Sequence, residues 1–430
     1  MGYCNTCNKV LLMYALIDCN NFYASCERLF QPHLNKKPVV ILSNNDGCVI
    51  ARSNEAKSFI PMGAPAFKFK NIFKEKKVHV FSSNFALYGD ISSRIMQIIS
   101  TYSLDFEPYS IDEAFIKVNT NKYIDIELIM SKIKRDIEIG VGVPISIGVA
   151  PTKSLAKVAN RIVKKHTKRT KGIYIIDDEN KRIKSLKWLH VKDIWGIGKQ
   201  LSKRLKEQGI NNAFEFCCQN DQWIKNNFSI VELKLKQDLC GVPSIKLEEI
   251  KRKKSISCTR TFEYPYTDYN NIKERITSFS VNCAEKLRLQ NSNCNAIIVF
   301  LQTNKHKENE QQYSNSIFTQ LPFPTNSNME ISRFAIDGMM RIFKKGYKYK
   351  KAGVIITNIT PEKQQQLNIF ENSNPKHKAL MKTIDCINAS LGCQKIKLAS
   401  QDLKKTWKMK QEKLSKRYTT KLDEIIVVKV

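Results

Sequence analysis

Tyr109-Ser110-Ile111-Asp112-Glu113-Ala114-Phe115 decides how this chain is read, because it sets two acids side by side at the turn of an otherwise apolar hairpin. Residues 106–118 read as two strands around a tight turn. A third acid, Asp18, ends an apolar run of strand formers at residues 10–17. An acid among apolar residues is costly to ionise unless a cation or hydrogen bonds compensate. Phosphoryl transfer at a nucleotide uses two divalent ions bridged by carboxylates, one at the attacking hydroxyl and one at the leaving phosphates. Magnesium takes oxygen ligands and keeps waters, so two or three acidic side chains suffice. Asp18, Asp112 and Glu113 therefore form a candidate set for two Mg2+ ions. The bland reading is an Asp-Glu pair that caps a surface turn.

Outward from these acids, residues 39–42 and 48–51 read as short strands around the turn Ser43-Asn44-Asn45-Asp46-Gly47. Ile91, Ile95, Ile98 and Ile99 recur at helical spacing. Residues 144–150 form a strand, and Leu155, Val158, Ala159, Ile162 and Val163 mark an amphipathic helix over 152–165. Strands and helices without a regular βαβ period favour an α+β fold, a sheet with helices on one face. Near Asp177-Asp178-Glu179-Asn180 the pattern turns helical and stays so to about Gly241. Lys251-Arg252-Lys253-Lys254 reads as a basic linker. Beyond it, strands (296–301, 352–356) mix with helices (278–289, 333–343), and the tail after 361 turns from polar to basic.

With 430 residues, two to four domains are expected. The 71 Lys and Arg against 40 Asp and Glu leave +31, a charge that repels itself unless something anionic neutralises it. A polyanion partner such as nucleic acid accounts for this better than a solubility bias does. Residues 251–360 hold 18 Lys or Arg and 8 Asp or Glu, a net of +10. No run of 18 apolar residues suggests a membrane span, and the first 13 residues lack the features of a signal peptide. The 13 scattered cysteines read as reduced thiols of a cytoplasmic protein. Cys4 and Cys7 form a lone C-x-x-C without a second pair at finger spacing, so a leader is favoured over a zinc site. Composition and spacing alone leave two readings open, a metal-dependent nucleotidyl enzyme and a basic binding protein.

Longer segments narrow the choice. They are Ala15-Leu16-Ile17-Asp18-Cys19-Asn20-Asn21-Phe22-Tyr23-Ala24-Ser25-Cys26-Glu27, the run 38–51 (PVVILSNNDGCVIA), the hairpin above, and Val149-Ala150-Pro151-Thr152-Lys153-Ser154-Leu155-Ala156-Lys157. Trp195-Gly196-Ile197-Gly198 and the tail motifs Trp407-Lys408-Met409-Lys410, Leu414-Ser415 and Tyr418-Thr419-Thr420 complete the set. Together they make the chain resemble the Y-family DNA polymerases, and the tail points to the UmuC-like branch, the catalytic subunits of bacterial DNA polymerase V. The resemblance implies a multidomain right hand. The palm would be residues 13–27 and 90–177, and the fingers 28–89. A helical thumb with a helix-hairpin-helix would span 178–245, an α/β little finger 251–360, and a C-terminal region 361–430. Met13 aligns with the family's usual start, leaving 1–12 an extension or a mis-called start.

The implied activity is error-prone translesion synthesis in the SOS response to DNA damage. Asp18, Asp112 and Glu113 match the family's metal-binding acids, and the Cys19 carbonyl a backbone ligand. Tyr23 matches the steric gate, an aromatic ring that collides with a ribose 2′-hydroxyl, with Phe22 beside it at the nucleotide. Lys153, at a helix N-terminus where phosphate is attracted, and Lys57 match triphosphate contacts, and Arg52 is a further candidate. Asn54 stands where many relatives have a tyrosine, which weakens the case for Lys57.

Gly196, Gly198, Lys199, Lys203 and Arg204 read as a phosphate-contacting hairpin in the thumb. Gln366-Leu367-Asn368-Ile369-Phe370 resembles the short peptide that docks on the bacterial sliding clamp, with Leu367, Ile369 and Phe370 as anchors and Gln366 leading. The expected partners are primer–template DNA, dNTP, the clamp, a UmuD-type subunit and RecA. The competing readings are a DNA polymerase IV-like enzyme without a UmuD-type subunit and a catalytically silent scaffold recruited to the clamp. The nucleoid is the expected place of work.

Overall fold

Met13, Ala15, Ile17 and Cys19 alternate with Tyr14 and Leu16 along one strand, and the two sets enter different hydrophobic cores. That alternation, dictated by the two-residue period of a strand, sets the layers of the molecule. The computed structural model describes residues 11–120, 125–249, 251–364, 370, 372–391, 395–403 and 409–427. The chain divides into two compact units, Met1–Ile250 with Gln411–Val430, and Lys251–Lys410.

In the first unit the strands are β1 (Leu11–Cys19), β2 (Val39–Leu42), β3 (Val49–Arg52), β4 (His79–Ser82), β5 (Phe106–Pro108), β6 (Glu113–Thr120), β7 (Ile145–Ala150) and β8 (Ile173–Ile175). They form a five-stranded sheet in the order β5-β6-β1-β7-β8 and a three-stranded sheet in the order β3-β2-β4. On one face of the larger sheet, helices Phe22–Phe30, Phe85–Ser100 and Ile126–Gly140 pack on β1, β6 and β7. The other face is covered by helix Lys153–Lys165 and by the helical stretch that follows β8. Helices thus cover both faces, where the sequence suggested one. The reason is visible in β7, whose six residues are all buried.

Helix Lys153–Lys165 starts where the Thr152 hydroxyl accepts the Leu155 N–H. It lies against β7 at Gly148, where an added Cβ would stand 2.2 Å from the Asn160 nitrogen. Only a glycine permits that approach, and the approach sets the helix close over β1.

In the second unit, β9 (Ile256–Tyr266), β10 (Ser292–Thr303), β11 (Ser314–Thr325) and β12 (Tyr349–Pro361) make an antiparallel sheet in the order β11-β10-β12-β9. Helices Tyr269–Leu289 and Asn328–Ile342 share one core with it. This is the α/β organisation expected for residues 251–360.

Two boundaries are redrawn. A palm segment starting at 90 cuts helix Phe85–Ser100, whose N-cap is Asn84 and whose Leu87, Tyr88 and Ile91 enter one continuous core. The C-terminal region 361–430 is also not one piece, since helix Lys376–Ser390 belongs to the second unit while residues from Gln411 on belong to the first. Residues 1–10, with Cys4 and Cys7, lie outside the described residues. Among the described residues no helix is long and apolar enough to cross a membrane.

Candidate active site

β1 and β6 run antiparallel with Asp18 directly opposite Glu113. The Cys19 N–H donates to the Asp112 carbonyl at 2.9 Å, which ties the hairpin turn to the end of β1. One sheet end therefore collects all three acids. Asp18 follows the Tyr14 and Leu16 alternation, so its side chain lies on the face beneath helix Lys153–Lys165. There Lys164 Nζ lies 2.5 Å from Asp18 Oδ2, and Lys157 Nζ lies 2.8 Å from Glu113 Oε2. Asp18 and Glu113 are close enough to act on each other electrostatically. Asp112 accepts the Ser110 hydroxyl at 2.6 Å, and its charge reaches Cys19 and Tyr23 on the other side of the strand end.

Burial pushes the Asp18 carboxyl up to about 8, against the pull of Lys164 and with a further push from Glu113. Burial also pushes Glu113 up, but the bonds from Asp18 and Lys157 outweigh it and hold Glu113 below its usual range. The two neighbouring carboxylates are thus pushed in opposite directions, Asp18 up and Glu113 down. Among the described residues no three His, Cys, Asp or Glu side chains converge as a metal cluster, and two lysines pair with the acids instead. Carboxylate oxygens are the ligand type that a hard divalent cation takes.

The lysines extend into a wider cationic patch. Burial lowers the Lys57 ammonium, and Arg52, Lys164 and Lys165 add to the lowering, so these four charges share one neighbourhood. Lys57 donates to Asn54 Oδ1 at 2.8 Å, and Arg52 donates to the Ile60 carbonyl. Asp18, Glu113, Lys157, Asn160, Arg161 and Lys164 line a cleft of about 210 Å³.

Two residues expected at the nucleotide, Lys153 and Phe22, are buried. Lys153 is 2 % exposed, with Nζ at 2.7 and 3.0 Å from the Glu107 carboxylate and 4.7 Å from the Phe115 ring centroid. It also donates to the Lys246 carbonyl, and Glu107 accepts the Glu248 N–H, so the pair clasps the chain at the end of the helical stretch. Glu107 takes the ammonium that the helix-terminus argument had offered to phosphate. Phe22 is 3 % exposed within the core and backs Tyr23 at 5.8 Å between centroids, so it presents no open ring. Lys157 and Lys164 went unnoticed in the sequence. Their spacing with Arg161, at i, i+4 and i+7, was the available signal.

Tyr23 is half-buried, stacked on Tyr88 at 4.5 Å and 18°, with Phe85 at its edge. Cys19 sits opposite Ile145 in the ladder with β7. In the thumb, helix Glu179–Trp188, a short turn at Val191–Asp193 and helix Lys199–Glu207 follow in order. Gly196 has φ 87°, a backbone that favours glycine, and it is exposed together with Gly198, Lys199, Lys203 and Arg204. Arg204 donates to the Asn227 carbonyl and lies 4.9 Å from the Phe228 ring, while Lys203 pairs with Glu207 at 3.8 Å. Gln366, Leu367 and Ile369 lie outside the described residues, and Phe370 is 91 % exposed.

A palm sheet with its acids at the strand ends, flanked by a small fingers sheet and a helical thumb, is the fold of a Y-family DNA polymerase. Two solved structures share it. One is the Y-family DNA polymerase chimera Dbh-Dpo4(243-245)-Dbh, with TM-score 0.65 and 22 % identity, covering 81 % of this chain and 99 % of that one. The other is DinB from Sulfolobus solfataricus, with TM-score 0.51, 23 % identity and the same coverage of 81 % and 99 %. The chain belongs to the impB/mucB/samB family, the UmuC-like branch of these enzymes. The family model matches residues 17–161, its C-terminal domain 253–369, and a domain of unknown function 378–428. Protein ImpB of Salmonella typhimurium is 38 % identical over 96 % of this chain and 99 % of its own. Protein UmuC of Salmonella typhimurium strain LT2 is 36 % identical over 97 % of this chain and 100 % of its own.

Proposed function

We propose that the chain is an error-prone translesion DNA polymerase, which adds dNTPs to a primer opposite damaged template during the DNA damage response. The observation that carries this reading is the register of β1 and β6, with Asp18 opposite Glu113 and Asp112 bonded back to Cys19. Asp18, Asp112 and Glu113 would hold two Mg2+ ions, with the Cys19 carbonyl as a further ligand. When bound, such ions supply charge neutralisation at the phosphates and acidify the attacking hydroxyl.

The chain's own residues do the remaining work. Lys164, Lys57 and Arg52 offer positive charge to a triphosphate, which favours an incoming nucleotide over water at that spot. Lys157 fixes the Glu113 carboxylate, and its ammonium lies 4.3 Å from the Tyr109 ring centroid, so it is held in place rather than free to swing. Tyr23, braced by Tyr88, presents a rigid ring where only a 2′-hydroxyl separates the two sugars. Gly196, Gly198, Lys199 and Lys203 approach a duplex phosphate without reading sequence.

The clamp peptide at Gln366, Leu367, Ile369 and Phe370, a UmuD-type subunit and RecA complete the proposed partners, and a nucleoid-associated, cytoplasmic enzyme is the setting. Primer extension on a lesion-bearing template tests the reading. Extension requiring Mg2+, with the subunit, RecA and clamp present, is expected. Its absence under those conditions would overturn the assignment.

A further inference from the structure

The C-terminal residues of the first unit lie across it as a strap, and nothing above gives them a task. Gln411 Nε2 donates to the Ser83 carbonyl at 2.9 Å, and the Glu412 N–H to Asp46 Oδ2 at 3.0 Å. Lys413 exchanges two bonds with Ser82 at the end of β4, accepting its N–H at 2.9 Å and donating to its hydroxyl at 3.0 Å. Asn84 caps helix Phe85–Ser100 with its oxygen, and its amide nitrogen donates to the Ser415 carbonyl and hydroxyl and to the Lys416 carbonyl. Tyr418 stacks on Phe30 at 4.6 Å and 12°. These residues fall within the match to a domain of unknown function.

One strap residue reaches the interior. The Ser415 hydroxyl donates to Glu27 Oε1 at 2.9 Å, and the same oxygen accepts the Tyr88 hydroxyl at 2.6 Å. Glu27 is wholly buried, and its other oxygen has no hydrogen-bond partner among the described residues. Glu27 follows Tyr23 by four residues on helix Phe22–Phe30, so the two share a face. Tyr88 is wholly buried, and its ring is the one stacked on Tyr23. A chain of contacts therefore runs Ser415, Glu27, Tyr88, Tyr23. A buried carboxyl with one silent oxygen and two donors on the other loses its fixed orientation when either donor goes.

We propose that the strap is a positioning element for sugar selection, holding the Tyr23 ring through Ser415, Glu27 and Tyr88. The proposal rests on the reading of Tyr23 as the steric gate. Excluding one hydroxyl is a matter of about an ångström in ring placement, so small slack at Tyr88 is felt as lost discrimination. Ser415 acts through others and touches no nucleotide.

Single-nucleotide insertion by the full chain with its companion subunit tests this, as the ratio of kcat/KM for dNTP over rNTP. Where turnover is slow, the ratio of nucleotide affinities on a dideoxy-terminated primer serves instead. Ser415→Ala and Tyr88→Phe should each lower the ratio about 5-fold, through better rNTP use, with kcat for dNTP within about twofold. Ser415→Thr, which keeps the hydroxyl, should restore it. In a Tyr23→Ala background, Ser415→Ala should change nothing further. An unchanged ratio in Ser415→Ala and Tyr88→Phe, or an equal fall for both sugars, overturns the strap proposal alone, provided Tyr23→Ala admits ribonucleotides. If Tyr23→Ala also leaves the ratio unchanged, the steric-gate reading falls and takes the strap's role with it.

Discussion

Lys164 Nζ stands 2.5 Å from Asp18 Oδ2, yet Asp18 remains high, near 8, because the carboxylate is almost fully buried and faces Glu113. The ordinary value is 3.8, so between 3.8 and about 8 the folded chain keeps a proton that the unfolded chain has released. Stability of the metal-free protein should then fall as pH rises across that window and level off above it. Glu113 is shifted the other way, so its contribution is lost only in acid, below its ordinary 4.5. Thermal melts of the wild type and Asp18→Asn between pH 5 and pH 9 check this. The decline should flatten in the variant, and parallel curves would count against it.

Lys153 and Lys164 sit on the same helix and should respond differently to truncation. Lys153→Met strands Glu107 in the interior, which costs about 3–5 kcal/mol. Its melting temperature should drop while KM for dNTP in the folded fraction stays put. Lys164→Met should lower the melt less, since the Lys164 side chain is 43 % exposed where Lys153 is enclosed, and raise KM for dNTP about tenfold, given that hydrogen bonds to charged groups contribute about 1.5–3 kcal/mol. A stable Lys153→Met with a raised KM would return the triphosphate contact to Lys153.

In the thumb, Lys199→Ala and Lys203→Ala should each reduce the slope of log DNA affinity against log salt by about 1, without altering sequence preference. Gly196→Ala should weaken binding as well, because φ 87° strains any side chain there. Fluorescence anisotropy across a salt series measures both. An unchanged slope would make the turn a plain connection between helices.

Deleting residues 366–370 should abolish stimulation by the clamp and spare basal extension, since Phe370 is 91 % exposed. Loss of basal activity together with stimulation would make the segment part of the second unit's structure.

The strands carrying the acids were legible because an apolar run of strand formers ends in an acid at Asp18, and because the hairpin around Asp112 and Glu113 has an apolar residue on each flank. The helix over 152–165 was legible in its apolar spacing, and Thr152 proves to be its cap. The pairing of Lys153 was not, since Glu107 lies 46 residues from it and meets it only once the sheet is folded. The edge of the fingers was readable in hindsight from Asn84, a good N-cap before an apolar periodic run. The strap left no such trace. Its bonds run to Ser82, Ser83, Asn84 and Asp46, more than 300 residues back, and no periodicity announces a return of that kind.

The central claim is that Asp18, Asp112 and Glu113 act together at the primer end. Asp112→Asn keeps the volume and the Ser110 contact while removing the charge. Primer extension and DNA binding should be measured on this variant side by side, in Mg2+. Extension should fall below detection while DNA affinity stays within about twofold, since a neutral amide is a poor ligand for a hard cation. Extension at the wild-type rate would contradict the account.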